Sequence, residues 1–356
     1  MKVGFATADW SISVVEDTGT PSMGGSGWIR LGQYSQFLTI DHVLGTLVYS
    51  NDSETFGVTD VHGEHHLDCD IIYMQRWMLS DIPENIRKAR AQGQIIVNDL
   101  DDWYWGLHDK HFAKNIVDMK TNKKENIFYY RDALRASDLV VVSTEFLAEK
   151  MRSRFDIKNV VIHENCVDFK IFKPRVHNEG PIVIGWHGST AHRSGDLDVM
   201  RDVFPRLDEA SFSFHHTGYS STMPAFWDEV GVPQERVTIF PMVSPTKIPK
   251  VLHFDVGIAP LNDIPFNHAK SWIKPLEYIA AGIPFIASKS PEYGRLRQEF
   301  GVGRFASKPA DWIGHIKSLS KLETRQSEAI SNLKAVRSLD VRVGALRLEK
   351  ILESIA

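Results

Sequence analysis

The feature that most constrains the fold of this chain is an alternation of strand-like and helix-like segments that starts twice. In the first half, short apolar runs alternate with helix-forming runs such as IPENIRKARAQG, which ends at a glycine. The apolar runs are KVGFATA (2–8), DIIYMQ (70–75), QIIVNDL (94–100), DLVVVST (138–144) and NVVIHENC (159–166). Apolar strands that alternate with helices are typical of a parallel sheet with helices on both faces.

The alternation begins again after a polar stretch with proline and glycine, residues 171–181, which we interpret as a linker. The second set of apolar runs is IVIGWHG, SFSFHHTG, VTIFPMV, DVGIAPL and PFIAS, and the chain ends in a long helical pattern. We therefore predict an α/β chain with two Rossmann-like, doubly wound domains that face a cleft. The expected boundaries are 1–170, 182–335 and, for a C-terminal helix, 336–356. Ligands of such sheets bind at the carboxyl ends of strands, often at helix N-termini.

Composition argues against several classes of protein. The 356 residues carry a formal net charge of −4, which disfavours a protein that coats nucleic acid with a basic surface. Cys69 and Cys166 give neither a disulfide framework nor metal-ligand spacing, so we expect a reducing compartment. No apolar run approaches the ~18 residues that a membrane span needs. The N-terminus reads as a strand rather than a signal peptide, so we expect a cytoplasmic protein without a transmembrane segment.

A glycine-rich segment, PSMGGSGWIRL, follows the first strand and leads into an apolar helix. Backbone N–H groups at Gly24 and Gly25 could approach a phosphate or a sugar closely, because glycine has no side chain. A plain surface loop is the alternative. The segment does not match GxGxxG, which disfavours a dinucleotide site.

Three aspartates follow a predicted strand in the segment NDLDDWYWGLHDKH. Asp101 and Asp102, with His108 or His111, could orient hydroxyl groups or act as a base at the carboxyl end of that strand. Asp99 and Asp101 also form a DxD pattern, but the pattern is short and we predict no metal site. The aromatic triplet WYW could stack on a sugar ring or close the edge of the core. The alternative for the whole segment is a capping aspartate and a solvated loop.

A small-residue loop, GWHGSTAHRSGDL, follows the first strand of the second half. Small residues at Gly188 and Ser189 allow the backbone to contact an anion, and His187 precedes them. Arg193 can pair with a phosphate through two hydrogen bonds. An ordinary loop with a helix cap is the alternative.

Two lysines, Lys270 and Lys274, stand where the helix of KSWIKPLEYIAAGIPFIAS begins. A helix N-terminus carries positive partial charge and favours anions, so each lysine would cost about 0.3 kcal/mol or more in a bare helix. A surface pair between Lys274 and Glu277 would recover about the same small amount. A bound diphosphate explains the arrangement better, because two cations and free N–H groups would all point at it.

The same segment resembles the donor site of retaining GT-B glycosyltransferases, the large GT4-like group, in which a Lys or Arg and a Glu precede a small-residue helix, G-x-P and an apolar strand. The resemblance implies that Glu277 binds the ribose of a nucleotide sugar. The segments MGGSGWIRL, ASDLVVVSTEFLAEKM, VVIHENCVDFKIFKP and IGWHGSTAHRSGDL are similar to other parts of the fold in the same order. They add Gly24, Gly25, His187, Gly188, Ser189 and Lys270 to the expected donor-binding residues. A GT-B fold also implies that the C-terminal helix crosses back to the N-terminal domain.

Two positions depart from the family pattern. Ala269 stands where the family often carries a first glutamate, so the contact to the sugar hydroxyls is absent or moved to Asn267, His268 or the backbone. The sequence DLDDW stands where many members carry a histidine, and Asp101 or Asp102 takes that role in our hypothesis. The identity of the sugar therefore stays open.

The resemblance implies transfer of a hexosyl or pentosyl group from a nucleotide diphosphate-sugar, with a UDP-sugar favoured, to an acceptor with retention of configuration. We expect Arg193, Lys270 and Lys274 to neutralise the leaving diphosphate, so no metal or other cofactor is required. Asp101 or Asp102 would orient the sugar or the acceptor hydroxyl. We assign Asp101, Asp102, Arg193 and Lys274 as the catalytic residues.

Three alternatives remain at the level of the sequence: a sugar-nucleotide epimerase of the same fold, a phage-type DNA-base glycosyltransferase, and a non-catalytic carbohydrate-binding protein. The epimerase would form product from the donor alone. The acceptor stays open between a glycan, a protein, a lipid and a modified DNA base, and the oligomeric state is not indicated.

Overall fold

A computed structural model describes residues 1–15, 21–108, 111, 113–114, 127–192 and 195–356. The chain divides into two compact units, each with its own sheet. The first unit consists of Met1–Leu107, Ala113–Cys166 and Val341–Ala356, and the second of His108–Phe112 and Val167–Asp340.

The first unit is built on a sheet of eight strands in the order β10-β9-β8-β7-β1-β4-β5-β6. Six neighbouring strands from β10 to β4 run parallel, and β5 and β6 continue the sheet antiparallel to their neighbours. A separate antiparallel pair, β2 and β3, precedes the glycine-rich segment. The strands are β1 Lys2–Thr7, β2 Trp10–Val15, β3 Pro21–Met23, β4 Asp41–Ser50, β5 Thr55–Thr59, β6 His65–His66, β7 Ile71–Gln75, β8 Ile95–Leu100, β9 Leu139–Val142 and β10 Val160–Ile162.

The second unit is built on six parallel strands in the order β13-β12-β11-β14-β15-β16. The strands are β11 Ile182–His187, β12 Phe212–Tyr219, β13 Val237–Pro241, β14 Val256–Ala259, β15 Phe285–Ser288 and β16 Arg304–Ala306. This is the doubly wound order, and the strand order reverses between the neighbours β11 and β14. Ligands of open α/β sheets bind in the crevice at such a switch point. The α/β prediction with two doubly wound units is confirmed.

The helices of the described chain follow the apolar periodicity where their termini carry clear signals. Helix Ile82–Ala91 ends before Gly93, which has a positive φ of 88°, as the sequence predicted. The other α-helices of eight residues or more are Ile127–Ala136, Glu145–Phe155, Ile273–Ala280, Pro291–Phe300, Pro309–Leu319, Leu322–Ala335 and Val341–Glu353. The glycine-rich segment forms three short helical pieces, Gly25–Gly27, the π-helical Trp28–Gly32 and Gln33–Ser35.

Two runs whose sequences favour helices form only short helical pieces. Residues 195–207, GDLDVMRDVFPRL, form helix Asp198–Arg201 and the 3₁₀ turn Phe204–Arg206. The run TKIPKVLHF contributes to a 3₁₀ turn, Pro245–Lys250. Pro205 and Pro249 lack a backbone N–H and clash with the preceding turn, so an α-helix does not continue through them.

The C-terminal helix Val341–Glu353 belongs to the first unit, which confirms its predicted return to the N-terminal domain. Its apolar face is fully buried in the core of that unit together with Tyr34. The buried residues of this face are Val341, Ala345, Leu348 and Leu352. His163 anchors the same helix through a 2.9 Å hydrogen bond to the carbonyl of Gly344.

Within the described residues, none of the helices combines the length and the apolar character that a membrane crossing requires.

Candidate functional site

The first group of candidate residues lies at the start of helix Ile273–Ala280 in the second unit. The helix begins one residue before Lys274, and it buries Lys274 and Glu277 so that only 7% and 6% of their surfaces are exposed. A solvated surface pair, which the sequence had left as an alternative, is therefore excluded. Buried charges need partners, and both are provided by the neighbouring strand β11.

Lys274 is held by the end of β11. Its ammonium group donates a hydrogen bond to the backbone carbonyl of His187. Its Nζ also lies 4.6 Å from the centroid of the Trp186 ring, within the range of a cation–π contact. The carbonyl oxygen and the ring both stabilise a cation at this position, beside the end of β11.

Glu277 is paired with the side chain of His187, the residue whose carbonyl binds Lys274. Its Oε2 lies 2.7 Å from Nε2 of His187. The backbone N–H of His187 donates to the hydroxyl of Tyr278, which in turn donates to the carbonyl of Ile258 on β14 at 3.1 Å. The carboxylate therefore lies against an imidazole whose backbone is tied to β14 through Tyr278 of the helix.

Glycine is required at two positions beside Lys274. Gly188 has a φ of 141°, and a Cβ there would lie 2.9 Å from Nζ of Lys274. Gly218 has a φ of 111°, and its Cβ would lie 2.6 Å from the carbonyl oxygen of Gly188. Any other residue would strain the backbone and displace the lysine or the loop. The backbone after β11 can therefore come close to a bound group.

His216 supports this loop from β12. Its Nε2 lies 3.0 Å from the carbonyl oxygen of Gly188, so Nε2 carries the hydrogen and donates it. Burial lowers the pKa of His216 to about 4, with Lys274 and His187 adding to the shift, whereas the hydrogen bond to Gly188 opposes it. The imidazole is neutral at physiological pH, and it stacks on Trp186 with ring centroids 5.2 Å apart.

The other candidate residues of the second unit, Lys270, Ser189 and Arg193, are not brought into contact with His187 by the described structure. Nζ of Lys270, which precedes the helix, lies 4.3 Å from the centroid of the Phe266 ring. The hydroxyl of Ser189 lies 3.1 Å from the sulfur of Met223. Arg193 lies outside the described residues. The structure therefore brings His187, Gly188, Lys274 and Glu277 together and leaves the contribution of the remaining candidates as a prediction.

Residues 267–269, which the sequence analysis considered for contact with the sugar hydroxyls, are buried or make contacts within the second unit. Ala269 is fully buried, and the Asn267 side chain donates a 2.6 Å hydrogen bond to Asp196. Nε2 of His268 lies 2.5 Å from Oδ1 of Asp263. The buried carboxylate in this neighbourhood thus comes from the loop after β11 and not from position 269.

In the first unit, Asp99 is part of a buried ion pair that the sequence analysis missed. Its carboxylate accepts hydrogen bonds from Nη2 of Arg30 at 2.7 Å and from the hydroxyl of Tyr73 at 2.6 Å, and both side chains of the ion pair are fully buried. Arg30 also donates to the carbonyl of His163 and to Asn165. The carboxylate of Asp99 is therefore already bound by Arg30 and Tyr73, which makes it unsuited to be the first ligand of a DxD metal site.

A charged residue inside the apolar run GWIRLG was the available signal for this pair. Arg30 lies on the π-helical piece Trp28–Gly32, and a buried cation requires a buried anion from elsewhere in the fold. Sequence alone does not say which of the aspartates after β8 supplies it.

Asp101 lies beyond the end of β8 and accepts a 3.1 Å hydrogen bond from the amide of Asn165. Burial raises the pKa of Asp101, and the neighbouring Asp102 raises it further, against the opposing charge of Arg30. A carboxyl group with a raised pKa at the carboxyl edge of a parallel sheet is suited to accept or hold a proton.

The aromatic triplet after these aspartates closes the core of the first unit. Trp103 and Tyr104 are buried, and Trp103 stacks on Phe155 with ring centroids 5.7 Å apart. The ring of Trp105 stacks on Tyr130. Of the two interpretations from the sequence, closure of the core edge accounts for Trp103 and Tyr104. His111, in the second unit, packs against Phe266 with ring centroids 5.0 Å apart.

The glycine-rich loop is held by a residue that the sequence analysis had not considered. Asp9 accepts hydrogen bonds from the backbone N–H of Gly27 and from Arg76, the latter at 2.6 Å. Arg76 has a φ of 65°, a conformation that L-residues rarely adopt and that often marks functional sites. Gly24 and Gly25 have no positive φ, and a Cβ at Gly25 would meet nothing within 4 Å. The space beside Gly25 is therefore open to a ligand.

Among the described residues, one group of side chains has the composition and spacing to hold a metal ion. It consists of Asp60, Glu64 and His66 on the hairpin between β5 and β6, with ligand atoms within 4.8 Å of one another. Nε2 of His66 already lies 3.0 Å from Oδ2 of Asp60, within hydrogen-bond distance.

Solved structures share this architecture over nearly the whole chain. Sucrose-phosphate synthase from Thermosynechococcus elongatus matches with a TM-score of 0.67 at 11% identity, over 100% of this chain and 99% of that chain. HepE from Anabaena in complex with UDP-glucose matches with a TM-score of 0.65 at 14% identity, over 99% and 100%. The chain has the GT-B fold. A glycosyltransferase from Rickettsia africae ESF-5 also matches, with a TM-score of 0.65 at 12% identity over 99% and 98%.

At identities of 11–14%, the similarity of this GT-B chain to these structures concerns the fold. No model of a protein family matches the sequence, and no curated protein matches it. The function must therefore be argued from the site.

Proposed function

We propose that the chain is a glycosyltransferase that moves a sugar from a nucleotide diphosphate-sugar to an acceptor. The observation that carries the proposal is the contact of Lys274 with the backbone carbonyl of His187 and of Glu277 with its imidazole, at the switch point between β11 and β14. A buried cation and an oriented carboxylate at a glycine turn form a site for a ligand that carries both phosphates and hydroxyl groups.

Each group has a chemical role in this proposal. Glu277 accepts hydrogen bonds from the ribose hydroxyls, because a carboxylate held by His187 keeps acceptor positions for them. Lys274 and the backbone after Gly188 contact the diphosphate, with Ser189 beside them. Arg193 and Lys270 add positive charge. UDP is the favoured nucleotide because HepE, one of the similar structures, was solved with UDP and with UDP-glucose.

The transfer breaks the bond between the anomeric carbon and the diphosphate oxygen, and it forms a bond from that carbon to the acceptor oxygen. The acceptor hydroxyl loses its proton, and the nucleoside diphosphate leaves with the electron pair of the broken bond. Lys274 and Arg193 stabilise the charge that develops on the leaving group, so the proposed reaction does not require a metal. Asp101 or Asp102 in the first unit orients the acceptor hydroxyl or the sugar.

Retention of anomeric configuration, membership of the GT4-like group and a cytoplasmic location are parts of the same proposal. The first two follow from the resemblance of KSWIKPLEYIAAGIPFIAS to the donor site of retaining GT-B glycosyltransferases, and the location follows from the cysteine usage. We also propose that the backbone at Gly24 and Gly25, in the first unit, contacts the donor.

The test is calorimetry and donor hydrolysis with a panel of UDP-, GDP-, ADP- and TDP-sugars. At least one should bind, and Lys274→Ala and Glu277→Ala should each weaken binding about tenfold or more, which is the value of a charge-assisted hydrogen bond. Glu299→Gln, at an exposed position in the same unit, is the matched control and should bind as the wild type does. Absence of binding by every nucleotide sugar would refute the proposal, and a sugar of changed configuration formed from the donor alone would indicate an epimerase.

A further inference from the structure

A buried asparagine in the first unit connects the Arg30–Asp99 ion pair with one of the candidate aspartates. Asn165 follows β10 and is fully buried. Its Oδ1 accepts a 2.8 Å hydrogen bond from Nη1 of Arg30, and its Nδ2 donates a 3.1 Å hydrogen bond to Oδ1 of Asp101. One amide group therefore joins the ion pair to Asp101.

The two contacts fix the orientation of this amide. A guanidinium group has only donors, so the carbonyl oxygen of Asn165 must face Arg30, and the NH₂ group must face the carboxylate of Asp101. A leucine of similar size could make neither contact, and an ionised aspartate could make only the first. Asparagine is thus the side chain that suits both neighbours.

The backbone on either side of Asn165 is also held in place. Nη1 of Arg30 donates to the carbonyl of His163 at 2.6 Å, and Nε2 of Gln33 donates to the carbonyl of Cys166 at 2.9 Å. Both donors lie on the short helical pieces that follow the glycine-rich loop. A side chain on a backbone that is fixed at both ends is well suited to position a neighbouring group.

Stability of the fold alone does not require this arrangement at Asp101. The residue is only half-buried, and a partly exposed carboxylate could turn towards water. Instead, burial and the charge of Asp102 raise the pKa of its carboxyl group, and Asp99 adds to the rise, against the opposing charge of Arg30. An ionisable group that is held in a costly environment is typical of functional sites.

Asp102 has a different charged neighbour. Burial lowers the pKa of the Arg76 guanidinium, but nearby acidic groups, including Asp102, raise it above its usual range. The charge of Asp102 thus faces a cation just beyond the end of β7. The donor that contacts Asp101 is a neutral amide, which leaves the charge of that carboxylate in place for a further hydrogen bond.

We infer that Asn165 is a positioning residue, which holds Asp101 rather than Asp102 as the carboxylate that accepts a hydrogen bond from the acceptor hydroxyl; the inference rests on the proposed function. The amide of Asn165 stabilises the ionised form of Asp101 and fixes the direction of its carboxylate. A hydroxyl group that donates to a fixed carboxylate is itself oriented for transfer.

The first measurement is a ¹³C NMR titration of the Asp101 carboxyl group in the full-length chain labelled with ¹³C-aspartate, assigned by its loss in Asp101→Asn. Asn165→Leu should raise the pKa of Asp101 by about one unit, because the ionised form loses a hydrogen bond. Asn165→Asp should raise it further, because two carboxylates then share one site. Asn159→Asp is the matched control: Asn159 is exposed just before β10 and donates to the carbonyl of Asp138, so the titration should not change.

The second measurement is the hydrolysis of the best-bound nucleotide sugar of the panel as a function of pH, in which water takes the place of the acceptor hydroxyl. In Asn165→Asp, the acid limb of the rate should move to higher pH together with the titration of Asp101. In Asn165→Leu, the rate at neutral pH should fall about tenfold. The affinity for the nucleotide, measured by calorimetry, should stay within about twofold of the wild type, because Lys274 and Glu277 are unchanged.

The double variant Asn165→Asp with Asp101→Asn separates a positioning role from a merely structural one. It reverses the pair, because the amide at 101 donates to a carboxylate at 165 that still accepts from Arg30. The thermal midpoint, which we expect Asn165→Asp to lower, should recover, but hydrolysis should not, because the carboxylate has moved. Hydrolysis at the wild-type rate in the double variant, or an unchanged titration of Asp101 in Asn165→Leu, would overturn the inference.

The two proposals can fail separately. If no nucleotide sugar binds, the proposed function falls together with the role of Asp101 in transfer, and the titration alone decides whether Asn165 holds this carboxylate. If a nucleotide sugar binds and Asn165→Asp hydrolyses it with the pH dependence of the wild type, the proposed function stands and only the assignment of Asn165 falls.

Discussion

Nε2 of His187 lies 2.7 Å from Oε2 of Glu277, and the backbone carbonyl of the same histidine accepts a hydrogen bond from Lys274. One residue at the end of β11 thus holds both charged groups of the helix start. This relationship shows how a lysine and a glutamate are buried together at a helix N-terminus, and it makes His187 a positioning residue for Glu277.

Replacing His187 tests this role. In His187→Ala the imidazole is lost but the carbonyl that binds Lys274 stays. We expect the best-binding nucleotide of the panel to lose about tenfold in affinity, because Glu277 loses its orienting partner. Calorimetry measures the change. His187→Asn should recover part of the affinity, since its amide can donate to the carboxylate. An affinity equal to that of the wild type in His187→Ala would show that the pair does not orient Glu277 for the ligand.

Replacing Gly188 tests the close approach of the loop to the lysine. Gly188→Ala places a Cβ 2.9 Å from Nζ of Lys274 at a φ of 141°. We expect nucleotide binding to be lost and the thermal midpoint to fall, because both the backbone and the lysine must move. Gly294→Ala is the control: its Cβ would meet nothing within 4 Å, and helix Pro291–Phe300 should gain from alanine. Binding by Gly188→Ala at the wild-type level would contradict the site geometry.

The Arg30–Asp99 pair predicts a large stability effect in the first unit. Arg30→Met leaves the carboxylate of Asp99 buried without its ion-pair partner, which typically costs about 3–5 kcal/mol of unfolding free energy. Urea denaturation followed by tryptophan fluorescence measures the loss. The double variant Arg30→Met with Asp99→Leu should lose less than the sum of the single changes.

Arg87→Met is the control for that experiment, because Arg87 forms an exposed pair with Glu84. Its stability should be close to that of the wild type. If Arg30→Met is equally harmless, the buried pair does not support the fold.

Three of the buried histidines, whose pKa values are lowered, predict a dependence of stability on pH. Burial lowers the pKa of His216 to about 4, of His215 to about 4 and of His163 to about 3. Between their ordinary value near 6.5 and these lowered values, the unfolded chain binds protons that the folded chain does not. Stability is therefore complete above pH 6.5 and decreases as the pH falls towards 4.

His216→Phe isolates one of these contributions. A shift from 6.5 to about 4 makes His216 cost about 2 kcal/mol of unfolding free energy at pH 5 relative to pH 7.5. Phenylalanine can still stack on Trp186 and does not titrate. The difference in urea stability between pH 7.5 and pH 5 should shrink by about that amount in the variant. An unchanged pH dependence would show that His216 takes up its proton in the folded state.

The strand predictions succeeded where the sequence was locally apolar. All five predicted strands of the first half and all five of the second half are present. Strands β2 to β6 and β16 were not predicted. The residues of β4 are mostly half-buried and polar residues interrupt its apolar pattern, so the strand depends on pairing with β1 and β5.

The candidate site was predictable in part for the same reason. Lys270 and Lys274 stood out because their positive charges conflict with a helix start, which is a local rule, and the resemblance of the same segment added Glu277. His187, the partner of Lys274 and Glu277, lies 87 residues from Lys274 and carried no local signal of that role. Arg30 and Asp99 are 69 residues apart, and Asp196 reaches the neighbourhood of Ala269 from another loop.

The sequence by itself predicted the two sets of parallel strands and the segments at their carboxyl edges, because apolar periodicity and glycine stops act within a few residues. The return of the last helix was implied by the resemblance to GT-B glycosyltransferases. Only the tertiary structure decided which charges are buried and what holds them. Lys274 and Glu277 both contact His187, and Asp99 forms an ion pair with Arg30. These contacts depend on strand order, because pairing in a parallel sheet brings together residues that are far apart along the chain.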